Sequence, residues 1–189
     1  PVSLTGIVLG KYLAMVTVLL VPILLICFCP LIIAMNGSAT LTADYAAILA
    51  FFCMGCVYIA VGMFVSALTE SQIIAAVGTF AALLALYLWT DLVSFLPDSL
   101  AQLLSSFDFQ GVLDNFAYYS VFDLGGLLLY LSMAAVFVFL TVQVLQRRKG
   151  ITSAATTAVV LAIAVVVNLV VGQLPSDLVE RDISDNSLY

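Results

Sequence analysis

Few residues in this 189-residue chain have the type and spacing to do chemistry. Cys53-Met54-Gly55-Cys56 has the C-x-x-C spacing used by thiol redox centres and zinc sites. A structural zinc site needs a second ligand pair in a polar setting, and the remaining cysteines, Cys27 and Cys29, lie inside another apolar run. The four therefore read as small buried hydrophobes. The chain has no histidine, which removes imidazole as base, proton shuttle or haem ligand. Ser66 and Ser132 lie in or near apolar runs with no lysine near enough in sequence to activate them, so packing or bonding to the preceding turn is expected. Every carboxylate falls in a loop or at the end of an apolar run, with Asp91 and Asp123 the closest to one. That pattern speaks against an embedded hydrolase, and against a carrier that keeps an ionisable group deep in the bilayer. No phosphate-binding G-x-x-x-x-G-K-[ST] loop is present, so no cofactor is expected on this chain.

The surrounding elements explain why reactive groups are so scarce. The sequence is 65% hydrophobic and 8% charged, with a mean hydropathy of +1.26. A soluble domain is normally about a quarter charged, so this chain cannot coat a core with polar residues. Its apolar residues come in runs long enough to cross a bilayer as helices, and the short alternating strands of a barrel are not seen. The expected fold is an all-α integral membrane protein: a polytopic bundle of about five transmembrane helices, with amphipathic or re-entrant helices outside the bilayer.

The first run covers Ile7 to Met35 and is expected to kink at Pro22. A polar loop, Asn36 to Asp44, leads into a second span from Tyr45 to Leu68. Thr69 to Gln72 makes a tight turn before a third span from Ile73 to about Trp89. The segment Thr90 to Asp123 is too interrupted to span and too apolar for a plain loop, with Pro97-Asp98 a helix start and Leu100, Leu103, Leu104 and Phe107 on one face. Asp123 is a plausible N-cap for the fourth span, Leu124 to Leu145. A fifth span, Ile151 to Val171, precedes a polar acidic tail.

The net charge of −6 argues against nucleic acid as a partner; the lipid bilayer is the expected one. Lys and Arg concentrate in short cytoplasmic loops, which places Arg147, Arg148 and Lys149 inside. Counting spans then places Lys11 and Glu70 inside as well, so that Lys11, Arg147, Arg148 and Lys149 set the topology. The acidic Asp91–Asp123 segment and the tail, with Arg181, fall outside. Tyr45, Tyr87, Trp89, Tyr118 and Tyr119 would form an interfacial belt on that side. Gly6-Ile-Val-Leu-Gly10 and Gly62-Met-Phe-Val-Ser66 are candidate close-packing pairs. Asn36-Gly37-Ser38 matches a glycosylation sequon that matters only in a eukaryotic secretory route. The chain opens with "PVSLTG" against a span, which suggests a start inside a cytoplasmic loop of a longer protein.

"PVSLTGIVLGKYLA" resembles the cytoplasmic loop and following span of ABC-2 type transporter permeases, with Pro1, Ile7, Gly10 and Lys11 matching and Gly6 standing where an acidic residue is common. "VGMFVSALTESQIIAAV" looks like that family's next inward turn, and the stretch from Phe107 to Lys149 is similar to the end of gliding-motility-type permeases. The rest, Ile151 to Tyr189, looks like the opening of the auxiliary subunit of those systems, with Asp182, Ile183, Ser184, Leu188 and Tyr189 matching. The resemblance implies a permease region over residues 1–149 lacking its first spans, an anchor helix over 150–172 and the start of an extracytoplasmic domain over 173–189. It implies a multi-pass protein of the bacterial plasma membrane, residues 146–150 cytoplasmic and the tail extracytoplasmic, that exports a substrate and is not itself an enzyme. An ATPase subunit carrying ATP and Mg would dock on Pro1, Val2, Ser3, Leu4, Thr5 and Gly6 and on Thr69, Glu70, Ser71 and Gln72. A second permease copy would complete the pathway, with Asp91, Asp98, Asp114, Tyr118 and Tyr119 as an external gate. The alternative is an anchor or assembly component that couples an ATPase to an external domain without transporting a small molecule.

Overall fold

The computed structural model describes residues 3–37, 40–97, 100–101, 104–148, 154–172 and 180–182. Pro1, Val2, Asp98 and Lys149, singled out above, lie outside them, as do Leu103 and residues 183–189.

The first apolar run folds as α1 (Leu4–Ile26) and α2 (Phe28–Asn36). Pro22, where a kink is expected, is carried inside α1, and the interruption between the two helices falls at Cys27. Pro30 accounts for this, since it lacks an N–H and its ring crowds the carbonyl four residues back, that of Ile26. The Cys27 N–H still donates to the Ile23 carbonyl at 3.0 Å, and the Cys27 carbonyl accepts from the Tyr45 hydroxyl at 3.1 Å. Together the two helices make a 32-residue apolar stretch, Leu4–Met35. At 1.5 Å per residue it is about 48 Å long, well beyond the roughly 30 Å of hydrocarbon.

The loop expected at Asn36–Asp44 is shorter than that, because α2 runs to Asn36 and α3 (Leu41–Leu68) begins four residues before Tyr45. The third run forms α4 (Gln72–Tyr87) and turns at Leu88 into α5 (Trp89–Ser94). Beyond Pro97, whose carbonyl accepts the N–H groups of Leu100 and Ala101 at 2.9 and 3.0 Å, come a 3-10 turn at Ser105–Phe107 and α6 (Phe109–Ala117). Strand β1 (Val121–Asp123) leads directly into α7 (Leu124–Arg148), and α8 is Ala154–Gly172. A second strand, β2 (Glu180–Asp182), pairs antiparallel with β1, Phe122 opposite Arg181.

Helices α3 and α7 form the centre. On α3, Ala43, Ala46, Ala50, Cys53, Val57 and Ala60 are buried and recur at alternating three- and four-residue steps. Small residues at that spacing make a flat seam that lets a second helix come close, and dispersion rather than water exclusion then holds the pair. Leu127, Tyr130, Ala134, Val138 and Val142 of α7 belong to the same core. In α7's apolar window 44% of residues are buried, against 11% in Leu4–Met35, so α7 is the axis and α1 the periphery. Contacts of Tyr12 with Cys56 and of Tyr45 with Cys27 set α1 antiparallel to α3, while the Phe64–Phe137 ring pair, 5.7 Å apart, and the groove shared further on by Ala67 and Leu145 set α3 and α7 parallel.

The outward faces are apolar as well. Val18, Leu25, Phe28 and Ile32 on α1 and α2, Ile73, Val77 and Phe80 on α4, and Val159, Ile163 and Val170 on α8 are all exposed. Such surfaces are at rest only against lipid. Leu4–Met35, Leu41–Leu68 and Leu124–Arg147 are long and apolar enough to cross a bilayer; α4 and Thr157–Val171 are shorter apolar helices.

Candidate functional site

The helix directions sort the candidate residues onto two ends of the bundle. One end carries the start of α1, the α3–α4 turn and the end of α7. Ser3 caps α1, its hydroxyl oxygen accepting the Gly6 N–H at 3.2 Å. In the α3–α4 turn the Thr69 hydroxyl accepts the Ser71 N–H at 3.2 Å, and the Ser71 carbonyl accepts the Ala75 N–H at 2.9 Å. Thr69, Glu70, Ser71 and Gln72 thus form a short rigid turn with Glu70 and Ser71 exposed. Arg147 stands exposed in the last turn of α7, where a cation complements the helix dipole.

Between these elements lies a groove of about 470 Å3, bordered by Lys11 and Met15 of α1, Met63 and Ser66 of α3, and Thr141 and Leu145 of α7. Lys11 is exposed along it. The Thr141 hydroxyl is turned back on its own helix, donating to the Phe137 carbonyl at 2.8 Å.

The opposite end is a folded cap. Asp108 caps α6, one carboxylate oxygen accepting from Gly111 N–H at 2.9 Å, Gln110 N–H at 3.1 Å and the Thr90 hydroxyl at 3.0 Å. Trp89 Nε1 donates to the Leu104 carbonyl at 3.0 Å, tying α5 to the segment before the 3-10 turn. Phe109, Val112 and Phe116 bury one face of α6, with Phe116 edge-on to Phe122 at 5.5 Å and Phe109 stacked on Tyr130 at 6.2 Å. The Tyr130 hydroxyl donates to the Phe109 carbonyl. Asp123 is the N-cap expected from the sequence: Oδ1 accepts the Gly126 N–H at 2.8 Å while Oδ2 accepts from Asn115 Nδ2 at 3.2 Å. Gly126 is required there, since a Cβ would meet the Val112 side chain. Ser120, at φ 52°, occupies the left-handed region and reverses the chain between α6 and β1.

The described residues of the expected gate, Asp91, Asp114, Tyr118 and Tyr119, share this end. Asp91 is exposed on α5, its carbonyl accepting from the Ser94 hydroxyl at 2.6 Å. The Asp114 carbonyl receives the N–H groups of Tyr118 and Tyr119 at 2.8 and 3.2 Å, closing α6. Tyr118 and Tyr119 are 80% and 70% exposed.

Ser132 was expected to bond to the preceding turn, and its hydroxyl is 2.9 Å from the Leu129 carbonyl oxygen. It also lies 2.6 Å from Asn168 Oδ1 on α8, while Asn168 Nδ2 donates to the Ala164 carbonyl at 2.9 Å. Asn168, 4% exposed toward the C-terminal end of α8, was missed by the sequence reading. A lone amide inside a span is itself the signal that would have found it. Gln143, buried on α7, was missed too; its Oε1 has no hydrogen-bond partner among the described residues. The close-packing pairs divide: Gly62 approaches Thr79 of α4, whereas Gly10 has nothing within 4 Å. Cys53 and Cys56 are free thiols, and among the described residues no three metal-ligating side chains cluster.

No family model, no curated protein and no solved structure matches the chain. Fold and surface define its class: this is an all-α integral membrane protein, a bundle of apolar helices with an amphipathic helical cap at one end.

Proposed function

We propose that this chain is the membrane-spanning permease subunit of an ATP-driven exporter of the ABC-2 type. The observation that carries the reading is the segregation of the two ends. The two segments expected to meet an ATPase, Ser3–Gly6 and Thr69–Gln72, fall on one end together with Lys11 and Arg147. The acidic cap occupies the other. In the proposed arrangement the basic end is cytoplasmic, the cap and tail are extracytoplasmic, and the membrane is the bacterial inner membrane. ATP and Mg would sit on the partner ATPase. Its closure would push on the α3–α4 turn and the start of α1, and α3 and α7, packed along a shared seam, would carry the displacement to the cap. A second copy of the chain would supply the other half of the pathway.

A second reading is favoured by one specific feature. Strand β2, beyond α8, pairs with β1, which continues without a break into α7. A load on the segment after α8 would thereby reach the central helix directly, which suits a component coupling an ATPase to an extracytoplasmic domain without small-molecule transport.

The test is purification of the full-length protein from its native membrane in mild detergent, followed by assay of ATP hydrolysis. The proposal expects a co-purifying P-loop ATPase whose recovery falls at least tenfold for Glu70→Arg. Stimulation by a transported compound would favour export; hydrolysis insensitive to any compound but altered by deleting residues 180–182 would favour mechanical coupling. Absence of an ATPase would overturn both.

A further inference from the structure

We propose that the groove between α1, α3 and α7 is a binding site for an anionic phospholipid, with the headgroup phosphate on Lys11 Nζ and one acyl chain running toward Met15 and Ile59. This inference stands apart from the transporter reading, since it rests on the groove alone.

The walls come from three helices that cross or approach the bilayer, so whatever fills the space comes from the membrane or lies at its surface. Its volume of about 470 Å3 is that of a ligand-sized cavity rather than a packing defect. Depth and chemistry are matched along it. From Ile7 to Met15 the groove follows α1 for eight residues, about 12 Å. Lys11 lies seven residues, about 10 Å, from the start of a stretch roughly 18 Å longer than the hydrocarbon core is thick. That places its ammonium at headgroup level, where a lysine stem lies along apolar surface and its charge reaches the phosphate layer. Ser66 adds a hydroxyl near the mouth, and among the described residues no acidic side chain lines the groove. Deeper in, Met15, Ile59 and Met63 present flexible apolar surface suited to a mobile acyl chain. One cation and one hydroxyl over an apolar floor match an anionic lipid. A partner helix would need a longer apolar track.

The test uses the full-length protein reconstituted in nanodiscs with equal phosphatidylglycerol and phosphatidylcholine, with retained lipid counted by native mass spectrometry. Wild type is expected to keep phosphatidylglycerol over phosphatidylcholine by about fivefold, the factor a single lysine beside an anionic group supplies. Lys11→Gln should bring the two lipids to parity, while Lys11→Arg should keep the preference. Met63→Trp should fill the groove and lose the retained lipid with Lys11 intact. Arg147→Gln should leave the preference unchanged. Retention of the preference by Lys11→Gln, an equal loss in Arg147→Gln, lipid still bound to Met63→Trp, or a groove occupied by a second copy of the chain in place of lipid would each overturn the proposal.

Discussion

The two ends of the bundle are finished by different means. At the cap end the chain satisfies itself: Asp108 and Asp123 each close a helix start, Trp89 and Tyr130 each reach a distant carbonyl, and β2 covers the edge of β1. At the loop end Ser3 and Thr69 bond two or three residues away. Between the helices there lies an open groove beside Lys11. Tight closure is what a covering structure requires, while an end left open needs something from outside to complete it. The lesson is about placement: the chain holds its shape at one end and offers contact at the other.

The contrast can be broken by substitution, read through thermal unfolding in detergent. Trp89, the sole tryptophan, sits in the cap and reports on it. The largest effect is expected from Phe116→Ala, which empties a site 1% exposed between α6 and β1 and should cost about 3–5 kcal/mol. Next comes the glycine comparison. Gly126→Val drives a side chain into Val112 and should cost about 1–3 kcal/mol, whereas Gly10→Val at the open end meets nothing and should cost under about 0.5 kcal/mol. Asp123→Ala removes a cap and strands the Asn115 amide, for about 2 kcal/mol, with loss of the cooperative Trp89 transition as its sign. Last comes Asn168→Leu, expected at ~0.6 kcal/mol; a double-mutant cycle with Ser132→Ala should show the two effects to be coupled. Equal costs for the two glycine substitutions would erase the distinction between the ends.

Local signals were legible in the sequence and long-range ones were not. Apolar run length gave the three long helices and the two shorter apolar ones, and Asp123 before Leu-Gly-Gly read correctly as an N-cap, because both depend on residues a few positions apart. The interruption at Cys27 has a cause three residues on, Pro30, which crowds the Ile26 carbonyl, and the apolar run shows no change of hydropathy there. Helix α4, formed by the third run, stops at Tyr87, short of Trp89, and the Trp89 indole is held by Leu104, 15 residues on. The β1–β2 pairing joins segments nearly 60 residues apart across two helices, so no local pattern announces it. The seam from Ala43 to Ala60 was present as a three- and four-residue repeat, but within an all-apolar run it does not stand out by hydropathy. Of the residues expected at an external gate, Asp91, Tyr118 and Tyr119 are exposed on the cap, and Asp98 lies outside the described residues.

The most direct test of the division of labour is photo-crosslinking in native membranes from a benzophenone side chain at position 71 or at position 118, both exposed. The account predicts that a P-loop ATPase is captured from position 71 and not from position 118. Capture from position 118, or from neither position, would contradict it.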